Sequence, residues 1–191
     1  MNFIETERLI LRDWQAQDFQ PFAEMNSDPR VMEFMLKPLT SEETKAFFKK
    51  ITTQIENQGF GLLATVLKDS NEFIGFVGLS IPNFQPQFTP CVEIGWRLAY
   101  KYWGNGYATE ASRAVLKQGF EKYNFPEILS WTTIHNVRSR RVMEKLGMTH
   151  NPTDNFLHPM MPKDHHLCPH VLYRISNCNI SLNIDSKKFG P

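Results

Sequence analysis

Apolar residues along the chain recur at two intervals, and the switches between them mark out the elements. Residues 8–12 alternate, with Leu9 and Leu11 on one face and Arg8, Ile10 and Arg12 on the other, the period of a strand with one buried side. Over 17–25 the interval lengthens to that of a helix, through Phe19, Phe22, Ala23 and Met25, and Asp28-Pro29 ends the segment. Thr40-Ser41-Glu42-Glu43 is a capping box, in which the outer two residues satisfy each other's free backbone N–H groups. It predicts a helix to about residue 57, with Phe47, Phe48, Ile51 and Ile55 inward and Gly59 as its stop.

Strands are predicted next over 60–67 and 72–81, joined by the turn Lys68-Asp69-Ser70-Asn71. A loop over 82–90 follows, holding three prolines and the rings Phe84 and Phe88, for which no core strand is evident. Residues 92–98 read as a strand, and 107–122 as a helix with Ala108, Ala111, Val115, Gly119 and Phe120 on one stripe. A strand over 128–134, a helix over 137–146 stopped by Gly147 and a strand over 171–175 complete the pattern. Residues 177–191 read as a frayed tail after one domain spanning 1–176. This order predicts a mixed α/β fold, a sheet with helices on its faces, in which 92–134 is a strand–helix–strand crossover.

Composition narrows the function classes. Lys and Arg total 21 against 20 for Asp and Glu, so no global field favours nucleic acid or an anionic membrane, and any anionic ligand needs a local site. The odd cysteine count (Cys91, Cys168, Cys178) at irregular spacing is no disulfide framework. Acids stand at Glu5 and Glu7 where a signal peptide needs apolar residues, and no apolar run is long enough to span a bilayer. The expectation is a cytoplasmic protein, monomer or homodimer.

The local site lies between the strand ending near Leu98 and the helix from Tyr107. There Lys101-Tyr102-Trp103-Gly104-Asn105-Gly106-Tyr107-Ala108-Thr109-Glu110 feeds a glycine-bearing turn into a helix start. The first helical N–H groups lack partners, the macrodipole is positive, and glycines let an anion approach the backbone. No Gly-Lys-Ser/Thr makes it a P-loop, and Thr109 breaks the dinucleotide fingerprint.

The stretch Trp103-Gly104-Asn105-Gly106-Tyr107-Ala108-Thr109-Glu110-Ala111 resembles the pyrophosphate-binding motif of the GNAT superfamily of N-acetyltransferases, most of all its RimJ/RimL-like branch. Thr6-Glu7-Arg8-Leu9-Ile10-Leu11-Arg12, Phe73-Ile74-Gly75-Phe76-Val77-Gly78, Glu93-Ile94-Gly95-Trp96, Asn136-Val137-Arg138-Ser139 with Met143-Glu144-Lys145-Leu146-Gly147-Met148, and His170-Val171-Leu172-Tyr173-Arg174 resemble other segments of that branch in order. The resemblance covers roughly 5–176. It implies a mixed, mostly antiparallel twisted sheet with helices on both faces and a splayed strand pair that holds acyl-CoA. It implies acetyl-CoA as co-substrate, and an amine acceptor that is either a protein N-terminus or a small amine.

Carried onto this chain, the resemblance gives Trp103, Gly104, Asn105, Gly106, Tyr107, Ala108 and Thr109 to the pyrophosphate. Trp96, Arg97 and Leu98 would pair their backbone with the pantetheine arm, and Asn136 would bond the pantetheine or thioester end. Arg141, with Lys145 one turn on, would meet the adenosine phosphates. Glu93 stands where several members place a general base. The Tyr that often protonates the departing thiolate is replaced by Met143, which leaves Ser139, Asn136 or solvent for that role. Its absence also admits a non-catalytic acyl-CoA-binding module as the alternative. His158, Asp164, His165, His166, Cys168 and His170 crowd one segment at irregular, proline-broken spacing; it reads as a substrate-side loop with no metal expected.

Overall fold

The capping box forms as its residues dictate: Thr40 Oγ1 accepts from the Glu43 N–H at 3.2 Å, and Glu43 Oε2 accepts from the Thr40 N–H at 2.9 Å. The helix it opens ends at Gly59, whose φ of 74° is the left-handed value that glycine adopts without strain. The computed structural model describes residues 3–84 and 87–177, so Gln85, Pro86 and the predicted tail from Cys178 onward lie outside the described residues. Among the described residues there are nine strands, paired antiparallel in the main, and four helices. The fold is mixed α/β. It divides into two compact units, Met1–Ser80 with Ile94–Val115, and Ile81–Glu93 with Leu116–Pro191.

The first unit holds β1 (Phe3–Glu5), β2 (Leu9–Arg12), α1 (Phe19–Ser27), α2 (Ser41–Gln58), β3 (Leu62–Leu67), β4 (Phe73–Ser80), most of β5 (Glu93–Leu98) and the first part of α3 (Tyr107–Glu121). Its strands lie in the order β1-β2-β3-β4-β5. Leu9 and Leu11 are fully buried, as their alternation requires. Arg12, on the opposite face, is buried as well, because Asp18 receives both its Nη atoms at 2.7 and 2.9 Å. Phe22, Met25, Ile51, Ala64, Val66, Phe73 and Phe76 form one core cluster of this unit, with Phe47, Phe48 and Ile55 packed on it. Trp14 joins that cluster and gives its indole N–H to the Leu62 carbonyl at 2.7 Å, which satisfies the one polar atom an otherwise apolar ring brings inside.

The second unit is built around β9 (Pro169–Ser176). β6 (Glu127–Thr133) runs antiparallel to it in continuous register, from Glu127 opposite Ser176 to Thr133 opposite His170. Two short strands, β7 (Thr149–His150) and β8 (Phe156–Leu157), pair with it as well. α4 (Val137–Lys145) follows β6. Glu93, the first residue of β5, pairs with Leu129 in parallel, the relation that the predicted crossover demands. Phe84 and Phe88 do find a seat in this unit: their ring centroids lie 5.8 and 5.6 Å from that of Trp131. Among the described residues no helix is long and apolar enough to cross a membrane.

Candidate functional site

In the first unit, β5 gives way to a short 3-10 turn at Tyr100–Tyr102 and then to α3. Gly104 and Gly106 have φ of 81° and 80°, so the chain reverses through two left-handed residues before the helix starts. Gly104, Asn105 and Gly106 are exposed, and a Cβ built on Gly104 meets nothing within 4 Å. An anion therefore has open approach to amides at the positive end of a 15-residue helix. Asn105 braces the turn by donating from Nδ2 to the carbonyls of Tyr102 and Trp103 at 3.2 and 3.1 Å. Trp103 gives its indole N–H to the Leu98 carbonyl at 2.8 Å, so its only side-chain donor is spent inside the turn.

Glu110 puts a carboxylate in the first turn of the same helix, and three groups from the N-terminal segment engage it. Thr6 Oγ1 donates to Oε1 at 2.6 Å, the Arg8 N–H to Oε1 at 2.9 Å, and Arg8 Nε to Oε2 at 2.7 Å. Burial pushes the Glu110 carboxyl up, but the bonds from Thr6 and Arg8 together outweigh it and leave it below the usual range. The Arg8 guanidinium also donates from Nη1 to the Asn105 carbonyl at 3.1 Å and lies 4.6 Å from the Tyr107 ring centroid. Sequence reading missed this network. Thr6, Arg8 and Glu110 all fall inside motifs it singled out, but nothing local links residues a hundred positions apart.

β4 and β5 approach closely at Gly75, whose φ is 146° and whose added Cβ would fall well inside the radius of the Arg97 carbonyl oxygen. Ala99 N–H bonds the Ile74 carbonyl at 2.9 Å beside it. Of the predicted pantetheine residues, Leu98 is buried, and Trp96 and Arg97 are partly buried. The Arg97 side chain turns inward: Nη1 donates to Asn26 Oδ1 at 2.7 Å, and the guanidinium lies 5.4 Å from the Phe76 ring centroid. Burial lowers its pKa to about 10, which still leaves it protonated at neutral pH.

In the second unit Glu93 is partly buried at the start of β5. Its charge is felt at Cys91, whose thiol is raised to about 11, first by burial and then by Glu93; at neutral pH Cys91 is no thiolate nucleophile. Asn136 is the N-cap of α4. Its Oδ1 accepts from the Ser139 N–H at 3.1 Å, and its Nδ2 donates to Thr132 Oγ1 and Ser139 Oγ at 3.0 and 3.1 Å. Both ends of that amide are thus engaged within the unit. Ser139 Oγ accepts from Asn136, which leaves its own O–H proton to donate elsewhere. Met143 is 1% exposed and serves the core, and Arg141 is exposed on the same helix.

The histidine segment is a packed aromatic patch. His158 and His170 lie 4.8 Å apart between centroids, and Phe84 and Phe156 lie 4.6 and 5.6 Å from His158 and His170 respectively. Burial lowers the His158 pKa and carries that of His170 down to about 4, so His170 is neutral at pH 7. Among the described residues no three His, Cys, Asp or Glu side chains gather as a metal site.

Known proteins resemble the chain as a whole. Residues 8–149 match the acetyltransferase (GNAT) domain family. The uncharacterized N-acetyltransferase YnaD of Bacillus subtilis is 31% identical over 176 residues, which cover 90% of this chain and 95% of that protein. The crystal structure of an acetyltransferase from Agrobacterium tumefaciens superposes with a TM-score of 0.74 at 29% identity, over 93% of this chain and 95% of its own. A ribosomal-protein alanine acetyltransferase of Vibrio fischeri shares the fold, with a TM-score of 0.71 at 18% identity over 93% of this chain and 97% of its own.

Proposed function

The chain belongs to the GNAT family of acetyltransferases, and on that premise we propose that it moves the acetyl group of acetyl-CoA to a primary amine, the N-terminal α-amine of a protein. The observation that carries the donor is the exposed turn Gly104-Asn105-Gly106 at the start of α3, with both glycines left-handed. Backbone amides there are the donors for a pyrophosphate, and they take the whole load because Trp103 has no side-chain donor left. The reading treats residues 1–176 as one acetyltransferase domain. It gives the backbone of Trp96, Arg97 and Leu98 to the pantetheine arm and Arg141 to the adenosine phosphates.

In the reaction the amine nitrogen attacks the acetyl carbonyl carbon, a C–N bond forms and the C–S bond breaks. The nitrogen gives up one proton and the sulfur takes one. Glu93 receives the first, directly or through water, and the Ser139 hydroxyl, held from behind by Asn136, hydrogen-bonds the departing sulfur while solvent protonates it. A free thiol has a pKa near ~8.5, so the thiolate leaves without a strong acid, which suits a chain that carries Met143 in the acid's place. The chemistry of the amine favours the N-terminal acceptor. An α-amino group titrates near ~8 and a lysine near ~10.4, so the former needs far less help from a base. It also finds support in the fold shared with the Vibrio fischeri enzyme.

Acetyl-CoA at about 100 times its dissociation constant should add ~2.7 kcal/mol to stability, a clear rise in melting temperature, and NAD and ATP should add none. Gly106→Val, which places a β-branched residue at a left-handed φ of 80°, should abolish the acetyl-CoA effect. Wild-type protein that gains nothing from millimolar acetyl-CoA would refute the donor.

A further inference from the structure

We propose that Arg8 is a positioning residue of the donor site, which holds the Asn105–Gly106 peptide in the orientation that presents the Gly106 N–H to the pyrophosphate. The proposal rests on the reading of this turn as the pyrophosphate site and adds a residue far from it in sequence. The geometry is specific. Arg8 Nη1 donates to the Asn105 carbonyl at 3.1 Å. In a trans peptide the carbonyl of one residue and the N–H of the next point in opposite directions. Fixing the Asn105 oxygen on Arg8 therefore fixes the Gly106 N–H away from it. Residues 104–106 are exposed, so the turn is within reach of a ligand.

The guanidinium is itself held. Nε donates to Glu110 Oε2 at 2.7 Å, Nη2 meets the same oxygen at 2.6 Å, and the cation lies against the Tyr107 ring. Glu110 gains from this too. A carboxylate in the first turn of the helix would oppose an incoming dianion, and Thr6 and Arg8 between them neutralise and saturate it. The planar guanidinium places two donors on one carboxylate oxygen and a third on a backbone oxygen, which a single ammonium cannot reproduce. Its side chain is 44% exposed, so the ion pair itself contributes little to stability; the effect lies in the orientation of the peptide.

The test compares two acyl donors by equilibrium titration: acetyl-CoA, and S-acetylpantetheine, which lacks the pyrophosphate and the nucleotide. With Arg8→Met, acetyl-CoA should bind about 10–100-fold more weakly, the range expected for a lost charge-assisted hydrogen bond, and S-acetylpantetheine should bind as it does to wild type. Arg8→Lys keeps a cation beside Glu110 and guards against a variant that fails to fold. It should show a smaller loss, again confined to acetyl-CoA. Equal losses for both donors would mean that Arg8 only supports the fold, and unchanged acetyl-CoA affinity in both variants would make it a surface ion pair; either result overturns the proposal. Wild-type protein that binds S-acetylpantetheine but gains nothing from the pyrophosphate of acetyl-CoA would instead sink the reading of the turn, and this proposal with it.

Discussion

A carboxylate takes a proton only while ionised, and Glu93 is the group to which the proposed mechanism gives the amine's proton. Glu93→Gln should lower kcat within or below the ~10²–10⁴ span of a positioned base and erase the acidic limb of the pH–rate profile. Full kcat with an unchanged profile would remove Glu93 from the mechanism and leave proximity as the main source of rate. His170 makes a second prediction. Buried, it titrates near 4 in the fold, whereas an unfolded histidine titrates near ~6.5. Between those values the unfolded chain binds a proton that the folded one refuses. Stability from this group is therefore complete above ~6.5 and declines as pH falls towards 4, at up to ~1.4 kcal/mol per pH unit. His170→Phe should flatten that decline, read as melting temperature against pH; an equal slope in wild type and variant would show that another group carries it. Residue types at the turn were legible in the sequence because glycines and a helix start are local signals. The engagement of Glu110 by Arg8 was not, since it depends on which strands the topology brings together.

At the scale of elements, the long periodic segments were readable and the short ones were not. α2 came with a start signal, the Thr40–Glu43 box, and a stop signal, Gly59, and runs as Ser41–Gln58. β1, β7 and β8 have two or three residues each, too few to display a period, and exist because β2 and β9 offer them an edge. The loop 82–90 shows the same limit: its rings appeared to have no seat, and Trp131, more than forty positions on, supplies one. No local signal in the sequence marks Gly75 within β4, and it is the close approach of β5 that demands a glycine there. Gly75→Ala should destabilise the protein by several kcal/mol, because it combines a clash against backbone with a φ that alanine rarely adopts. Chemical denaturation measures this directly, and a loss under ~1 kcal/mol would mean that β4 and β5 part easily.

For the molecule as a whole, a balanced charge and an ordinary core leave function to local chemistry, and two places supply it. The first unit carries an exposed glycine turn at a helix start with its braces, and the second carries a carboxylate, a serine hydroxyl and a patch of neutral aromatic rings. The chain belongs to a family of acetyltransferases, and the identity of the amine is the claim that experiment reaches first. Purified protein should be given acetyl-CoA with equal concentrations of a peptide bearing a free N-terminus but no lysine, a polyamine and a free amino acid. Release of CoA thiol is followed together with the mass of each amine. Thiol release should be matched mole for mole by a single added acetyl group on the peptide α-amine, with the small amines turned over more slowly. Acetylation confined to the polyamine or the amino acid would contradict the N-terminal acceptor, and tight acetyl-CoA binding with no acetylated amine at all would contradict the transfer itself.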